Sequence, residues 1–122
     1  MKTIAAFESA ITNEVKDIKA EGINPTVFWA YCNSRRCGND LVDFNDVIWD
    51  NDIEAIAATL ADNNITEFTI SSNFSGLIKT LVAFEQQGFI IAGTTQVNAS
   101  HKDWQTGQYA KADALLMQKG RK

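Results

Sequence analysis

Residues 66–97 constrain the fold most, because the hydrophobic period of the sequence changes twice within them. The first six of these residues alternate apolar and polar side chains, as a half-buried strand does. The next segment repeats apolar side chains with the spacing of an amphipathic helix: Phe74, Leu77, Ile78, Leu81 and Val82. Gly88 predicts the end of this helix, and residues 89–97 favour a second strand, with Gly93 as a β-bulge or a point of close backbone approach. Strand, helix and strand with short links predict two parallel, paired strands joined by a right-handed crossover.

Two further amphipathic helices are predicted on the N-terminal side of this unit. In residues 3–21 apolar side chains recur at steps of three and four, and Gly22 ends the segment. Residues 51–64 show the same period, and Asn51 with Glu54 matches a capping box at the start of that helix.

Residues 26–37 are compatible with either a helix or a buried strand. Asn24 and Pro25 are typical of the start of a helix, and Gly38 is typical of its end. Residues 27–31 are rich in side chains that favour strands. The capping signals favour the helix.

The remaining segments lack a helical period. Residues 39–50 are predicted to be an ordered connection, and residues 98–108 a long polar loop. Residues 112–118 are predicted to be a third strand, antiparallel to the second, which protects an open sheet edge. A chain of 122 residues that is 45% apolar can form one hydrophobic core. We therefore predict a single domain over residues 1–122 of the α/β (α+β) class, with N-terminal helices, a β-α-β unit and a third strand in a small mixed three-stranded sheet.

Charge is unevenly distributed along the chain. Residues 37–78 contain eight acidic side chains and no Lys or Arg, a local charge of -8, whereas the rest of the chain sums to +4. Six of the acids lie within residues 40–54: Asp40, Asp43, Asp46, Asp50, Asp52 and Glu54. A solvated acidic face explains them, and so does a binding surface for a basic protein. Trp104 lies in a polar segment and is either a candidate contact residue or a side chain that folds back onto the sheet. Trp29 and Trp49 have apolar neighbours and are predicted to lie in the core.

The turn between the first strand and its helix is a candidate anion site. Its small hydroxyls and backbone N–H groups, with a lysine one turn further along, could hold a phosphate or a carboxylate. The residues concerned are Ser71, Ser72, Asn73, Ser75 and Lys79. A simpler interpretation is that Ser72 or Asn73 caps a helix that begins near Phe74.

Other kinds of site are disfavoured, and we predict no catalytic residue, metal or cofactor. The spacing of Cys32 and Cys37 fits neither a redox pair nor half of a zinc site. A calcium-loop register that starts at Asp43 places Ile48 where glycine is needed. His101 is the single histidine and lacks the context of a catalytic triad. A pI near 4.8 argues against direct nucleic-acid binding, and the apolar runs are too short for a membrane span.

Four stretches of the sequence resemble one family. They are LVDF with VIWD in residues 41–50, EFTISS in residues 67–72, residues 81–89, and DWQTG in residues 103–107. Together they resemble a family of small, uncharacterised acidic proteins from Gram-positive gut bacteria and their mobile elements, over about residues 39–119. The resemblance implies a cytoplasmic bacterial setting, is compatible with carriage on a plasmid, phage or conjugative element, and supplies no functional residue.

Two functional hypotheses follow from the sequence. The first is a non-enzymatic interaction module whose acidic surface binds a basic or nucleic-acid-handling protein, as an accessory or inhibitor protein of a mobile element. The second is a domain that binds a small anion, or an enzyme, at the turn of residues 71–75. The first expects acidic side chains that project into solvent, and the second expects a pocket above the turn.

Overall fold

The computed structural model describes residues 3–120. Within them an α+β fold places four α-helices around a four-stranded mixed sheet, which confirms the predicted class and adds one strand to the sheet. The helices are α1 (Ala5–Thr12), α2 (Pro25–Cys37), α3 (Ile53–Asp62) and α4 (Leu77–Gln86). The strands are β1 (Asp43–Phe44), β2 (Glu67–Ile70), β3 (Phe89–Lys102) and β4 (Tyr109–Lys119). Short 3-10 helices occupy Lys19–Glu21 and Asp50–Asp52. No helix in the part of the chain described is long and apolar enough to cross a membrane.

The strand order is β1-β2-β4-β3. β1 pairs with β2 in parallel, and β4 runs antiparallel to both β2 and β3. β2 and β3 therefore point in the same direction, as predicted, but they are not paired, because β4 lies between them. The prediction of adjacent parallel strands is wrong at this point. A turn links β3 to β4, and β4 forms hydrogen bonds with a strand on each side because it lies between β2 and β3 in the sheet.

The β3–β4 hairpin replaces most of the predicted polar loop. β3 continues to Lys102 and β4 begins at Tyr109, which leaves a six-residue turn. Asp103 shapes this turn, since its side chain accepts a hydrogen bond from the N–H of Gln105 at 2.8 Å. The register shifts between Ile91 and Gly93, which confirms the predicted bulge.

α2 confirms the helical alternative for residues 26–37. The side chain of Asn24 accepts a hydrogen bond from the N–H of Val27 at 3.2 Å, and Pro25 occupies the first turn. Gly38 ends the helix at φ +76°, a conformation that favours glycine.

The predicted helix over residues 3–21 is wrong in its length. α1 ends at Thr12, and Glu14 adopts φ +50°, which interrupts the helix. The chain then changes direction and brings Ile18 and Ile23 into the same core as Phe7. Burial of these side chains decides against one continuous helix.

Two predicted helix starts are also wrong. α3 begins at Ile53 after a 3-10 turn, and its N-cap, Asp52, makes no side-chain capping bond. The expected capping box therefore does not form. α4 begins at Leu77 with Gly76 as its N-cap, so neither Ser72 nor Asn73 caps it. The Ser72 hydroxyl instead donates hydrogen bonds to the carbonyls of Phe44 and Asp46, in and just after β1.

Phenylalanine side chains fill the core between α4 and the sheet. Ring centroids of Phe68 lie 4.9 Å from Phe84, 5.1 Å from Phe89 and 5.3 Å from Phe44. A second group lies between α1 and α2, where Phe7 is 5.1 Å from Tyr31 and 6.0 Å from Phe28. One continuous cluster of buried side chains includes both groups.

Trp29 and Trp49 are not core residues, contrary to the prediction. They are 63% and 69% exposed. α2 buries Val27, Phe28, Tyr31 and Ser34, and Trp29 lies beside that face rather than on it. Apolar neighbours in the sequence are therefore not enough to place a tryptophan in the core, because the face of α2 that packs on the core is what decides burial.

Candidate protein-interaction surface

Trp29 on α2 and Trp49 in the segment between β1 and α3 lie on one side of the molecule. A cleft of about 450 Å³ is lined by Trp29, Phe44, Asp46 and Val47, among others. A second cleft of about 230 Å³ shares Val47 with the first and is lined also by Trp49, Asp50 and Lys79. We call Trp29, Asp46, Val47, Trp49 and Asp50 the tryptophan surface.

Buried anchors hold the segment that carries Val47 and Trp49. Ile48, between them, is buried, and its carbonyl accepts a hydrogen bond from the buried Thr80 hydroxyl at 2.8 Å. The carbonyl of Asp46 accepts a second bond from the hydroxyl of Ser72 at 2.9 Å. Since Ile48 points inward, its two neighbours are directed toward solvent.

Trp29 is supported from below by the core. Its ring lies edge to face on Phe28, with centroids 5.3 Å apart. Phe28 itself is buried. The exposed indole of Trp29 is thus in contact with a buried ring.

The exposed acids of the tryptophan surface are Asp46 and Asp50. The Asp46 carboxylate accepts a hydrogen bond from the N–H of Val47 at 2.7 Å, and this bond holds the carboxylate at the rim of the first cleft. Of the other predicted acids, Glu54 is exposed in the first turn of α3. Asp52 is half-buried and accepts hydrogen bonds from Asn24 and Thr26 of the α2 start. Asp52 is therefore a structural link as well as a negative charge.

Asp43 is buried, so the prediction that it belongs to a solvent-facing acidic surface is wrong. It pairs with Thr69 across β1 and β2, where its carboxylate accepts hydrogen bonds from the Thr69 hydroxyl at 2.7 Å and the Ser71 hydroxyl at 2.6 Å. Its backbone N–H donates to the Ser34 hydroxyl at 2.8 Å. Burial raises the pKa of the Asp43 carboxyl, and the bonds from Ser71 and Thr69 act in the opposite direction.

Asp40 belongs to a different part of the surface. It lines a groove of about 650 Å³ together with Asp62 and Glu67, and the apolar wall of this groove includes Ile4 and Ile65. The acids that are close in sequence are thus divided between a groove, the tryptophan surface and the protein interior.

Trp104 lies in the turn between β3 and β4 and is 88% exposed. Neither cleft of the tryptophan surface includes it. The structure therefore does not bring Trp104 together with the other two tryptophans.

The turn predicted to bind an anion is divided by the structure. The Ser71 hydroxyl donates to Asp43, and the Ser72 hydroxyl donates to the carbonyls of Phe44 and Asp46. Ser75 and Lys79 line the smaller cleft. The negative carboxylate beside Ser71 opposes the approach of an anion to that end of the turn.

Residues 3–120 include both cysteines of the chain, and acidic and histidine side chains as other possible metal ligands. Cys32 and Cys37 are both free, and Cys37 is buried. Within these residues no three His, Cys, Asp or Glu side chains are grouped as metal ligands would be.

Only one comparison with known proteins gives a match. The family model described as Domain of unknown function (DUF7698) covers residues 26–119, which include the whole tryptophan surface. No curated protein and no solved structure matches the chain. The match agrees with the expectation of an uncharacterised family, and its description names no activity. Because it covers well over half of the chain, this protein belongs to the DUF7698 family.

Proposed function

We propose that this protein is a non-enzymatic interaction module that binds a basic protein through the tryptophan surface. The observation that carries the proposal is the exposure of Trp29 and Trp49 beside the two clefts they line. Large aromatic side chains are enriched among the residues that contribute most to protein–protein affinity.

The local order of the surface supports this proposal. Exposed apolar area is unfavourable in water, and here it is held in place by a buried isoleucine, a buried threonine hydroxyl and an edge-to-face aromatic contact. A surface that is already ordered loses little conformational entropy on binding.

The charges indicate the kind of partner. Asp46 and Asp50 flank the apolar centre of the surface, and other acids of the region, such as Glu54, are also exposed. Opposite charge at the rim of an interface accelerates association and excludes partners of like charge. A protein with lysine or arginine around an apolar patch fits this arrangement best.

We further propose a bacterial cytoplasmic setting, in which the protein serves a mobile element as an accessory or inhibitor. This part rests on the sequence resemblance described above. A nucleic-acid-handling protein has the basic surface required, and an acidic module bound there would occlude it.

Capture from an extract of the native host, followed by purification of the captured protein, tests the proposal. We expect a basic partner whose affinity falls at least roughly 100-fold in the variant Trp29→Ala/Trp49→Ala, since each anchor of this kind contributes about 2 kcal/mol and the two contributions need not add in full. Trp104→Ala is the matched control and should bind as the wild type does. Binding that survives the double substitution, or a partner without basic character, would contradict the proposal.

A second pair of variants tests the contribution of the acidic side chains to binding. Asp46→Asn/Asp50→Asn should slow association in low salt and leave dissociation nearly unchanged. Glu21→Gln/Glu85→Gln removes two exposed acids outside both clefts and is the control for net charge. Equal slowing by both pairs would show that only the overall charge matters.

A further inference from the structure

The two clefts of the tryptophan surface differ in the charges that line them. Among the described residues that line the first cleft, Asp46 is the one ionisable side chain, and none is a lysine or an arginine. The second cleft is lined by both Asp50 and Lys79, whose opposite charges offset each other. A single carboxylate at a cleft of about 450 Å³ favours one cationic group there, whereas the second cleft has no such preference.

The Asp46 carboxylate can accept further hydrogen bonds. It is exposed, and its Oδ1 accepts a hydrogen bond from the N–H of Val47. Within residues 3–120 no lysine or arginine lies within ion-pair distance of it, since the ion pair found there joins Arg35 to Glu8. Each carboxylate oxygen has two lone pairs, so a second donor group can bind beside Val47. The Val47 bond also orients the carboxylate before a ligand arrives, which lowers the entropic cost of binding.

The walls of the first cleft suit an aliphatic stem that ends in a flat cation. Ala30, Phe44 and Ile48 are buried residues that line it and form its apolar part. Trp29 lines the same cleft with an exposed indole, whose ring is in edge-to-face contact with Phe28. The face of an indole ring attracts cations, and arginine occupies this position more often than lysine does.

Charged residues just outside the first cleft offset each other. Arg36 lies one turn beyond Asn33 on α2, and its guanidinium donates a hydrogen bond to the Asn33 side chain. Asn33 lines the cleft, but Arg36 does not. Toward the start of α2, the hydroxyl of Thr26, also a lining residue, donates to the carboxylate of Asp52. One positive and one negative group thus bond to lining residues, and Asp46 decides the sign of the charge in the cleft.

We propose that the first cleft binds one arginine side chain of the basic partner, with its guanidinium between the Trp29 indole and the Asp46 carboxylate. This inference rests on the proposed function and names the side chain that the partner must supply. The guanidinium stacks on the indole and donates to Asp46, while the methylene groups lie along the apolar wall. Lysine fits less well, because its ammonium group is more strongly hydrated and cannot donate two parallel hydrogen bonds to a carboxylate.

Titration of the full chain with two short peptides tests the arginine site without the partner. The blocked tripeptides Gly-Arg-Gly and Gly-Lys-Gly carry the same charge, and heteronuclear NMR follows the Val47 amide and the Trp29 indole N–H. The Val47 amide reports directly on the site, because it donates to Asp46. We expect both signals to shift saturably with the arginine peptide, with a Kd in the millimolar range. The lysine peptide should bind at least about threefold more weakly.

Two substitutions each remove one half of the site. Asp46→Asn removes the charge, and Trp29→Leu removes the ring but keeps the wall apolar. Each should weaken binding of the arginine peptide at least about fivefold, measured at the Val47 amide. Glu85→Gln is the matched control, because Glu85 is exposed and lines neither cleft. This variant should bind the arginine peptide as the wild type does.

Equal binding of the two peptides would overturn the proposal, and so would the absence of a saturable shift. Binding that withstands Asp46→Asn or Trp29→Leu would overturn it as well. The outcome is distinct from that of the capture experiment. A basic partner captured through Trp29 and Trp49, without binding of the arginine peptide, would contradict the arginine site alone. Binding of the peptide, together with a captured partner that is not basic, would contradict the proposed function alone.

Discussion

Asp43 is an acid among hydroxyls, with no lysine or arginine among its hydrogen-bond partners. Its carboxylate loses most of its hydration and receives two hydroxyl hydrogen bonds in exchange, from Thr69 and Ser71. Hydroxyl donors stabilise the ionised form only in part, so burial dominates and the pKa of Asp43 lies above its ordinary value. This side chain links β1 to β2 at the cost of a buried charge.

Asp43 therefore makes the stability of the protein depend on pH in a defined direction. Because its pKa is raised in the folded state, the folded protein holds this proton more tightly than the unfolded chain does. Its contribution to the free energy of unfolding is complete below the unfolded pKa and decreases as pH rises through the folded pKa. Asp43→Asn removes this term. We expect the free energy of unfolding of the variant, relative to wild type, to increase from pH 3.5 to pH 7 in urea titrations.

Asp113→Asn is the control for the pH experiment, since Asp113 is exposed. Its effect should vary little with pH. If the difference between Asp43→Asn and wild type stays constant across this range, the Asp43 pKa is not raised.

At the scale of elements, the ends of α2 show what a sequence can predict. Asn24, Pro25 and Gly38 act on the backbone within a few residues of themselves, so their effect is visible without the rest of the chain. The sequence does not predict β1, because two residues are too few to show an alternating pattern. The pairing of β1 also depends on β2, which follows about 26 residues later. The central place of β4 was missed for the same reason, since it depends on two partners at once.

Helix starts give a test at this scale. Asn24→Ala removes a side-chain cap from α2 and should lower the free energy of unfolding by about 0.5 to 2 kcal/mol. Asn73→Ala is the matched control, because Asn73 is exposed and α4 begins only at Leu77. It should change stability by no more than about 0.5 kcal/mol. Urea denaturation of both variants checks this, and an equal loss in the two would restore the capping role expected from the sequence.

At the scale of the whole molecule, the fold separates acids that the sequence groups together. Asp40, Asp43 and Asp46 follow one another at steps of three, yet they lie in a groove, in the interior and on the tryptophan surface. A charge count finds the acidic region but not this division, which depends on how β1 pairs and where the chain turns after it. The sequence likewise does not predict the exposure of Trp29, because it depends on which face of α2 packs on the core.

The N-terminal segment completes the core, although the family match begins only at residue 26. Phe7 of α1 is fully buried and packs on Phe28 and Tyr31. Phe7→Ala should lower the free energy of unfolding by about 3 to 5 kcal/mol, a large part of the total for a domain of this size. Ile78→Ala, at an exposed position, should have an effect within about 0.5 kcal/mol. Similar stabilities of the two variants in urea would show that α1 is dispensable.

The exposure of all three tryptophans has a spectroscopic consequence. Trp29, Trp49 and Trp104 already meet water in the folded protein, so their fluorescence emission should shift little when the chain unfolds. Indole emission is therefore a weak reporter of folding for this molecule and a sensitive reporter of binding. A partner that covers Trp29 and Trp49 should shift their emission to shorter wavelength, while Trp104, which lines neither cleft, should keep its emission at long wavelength.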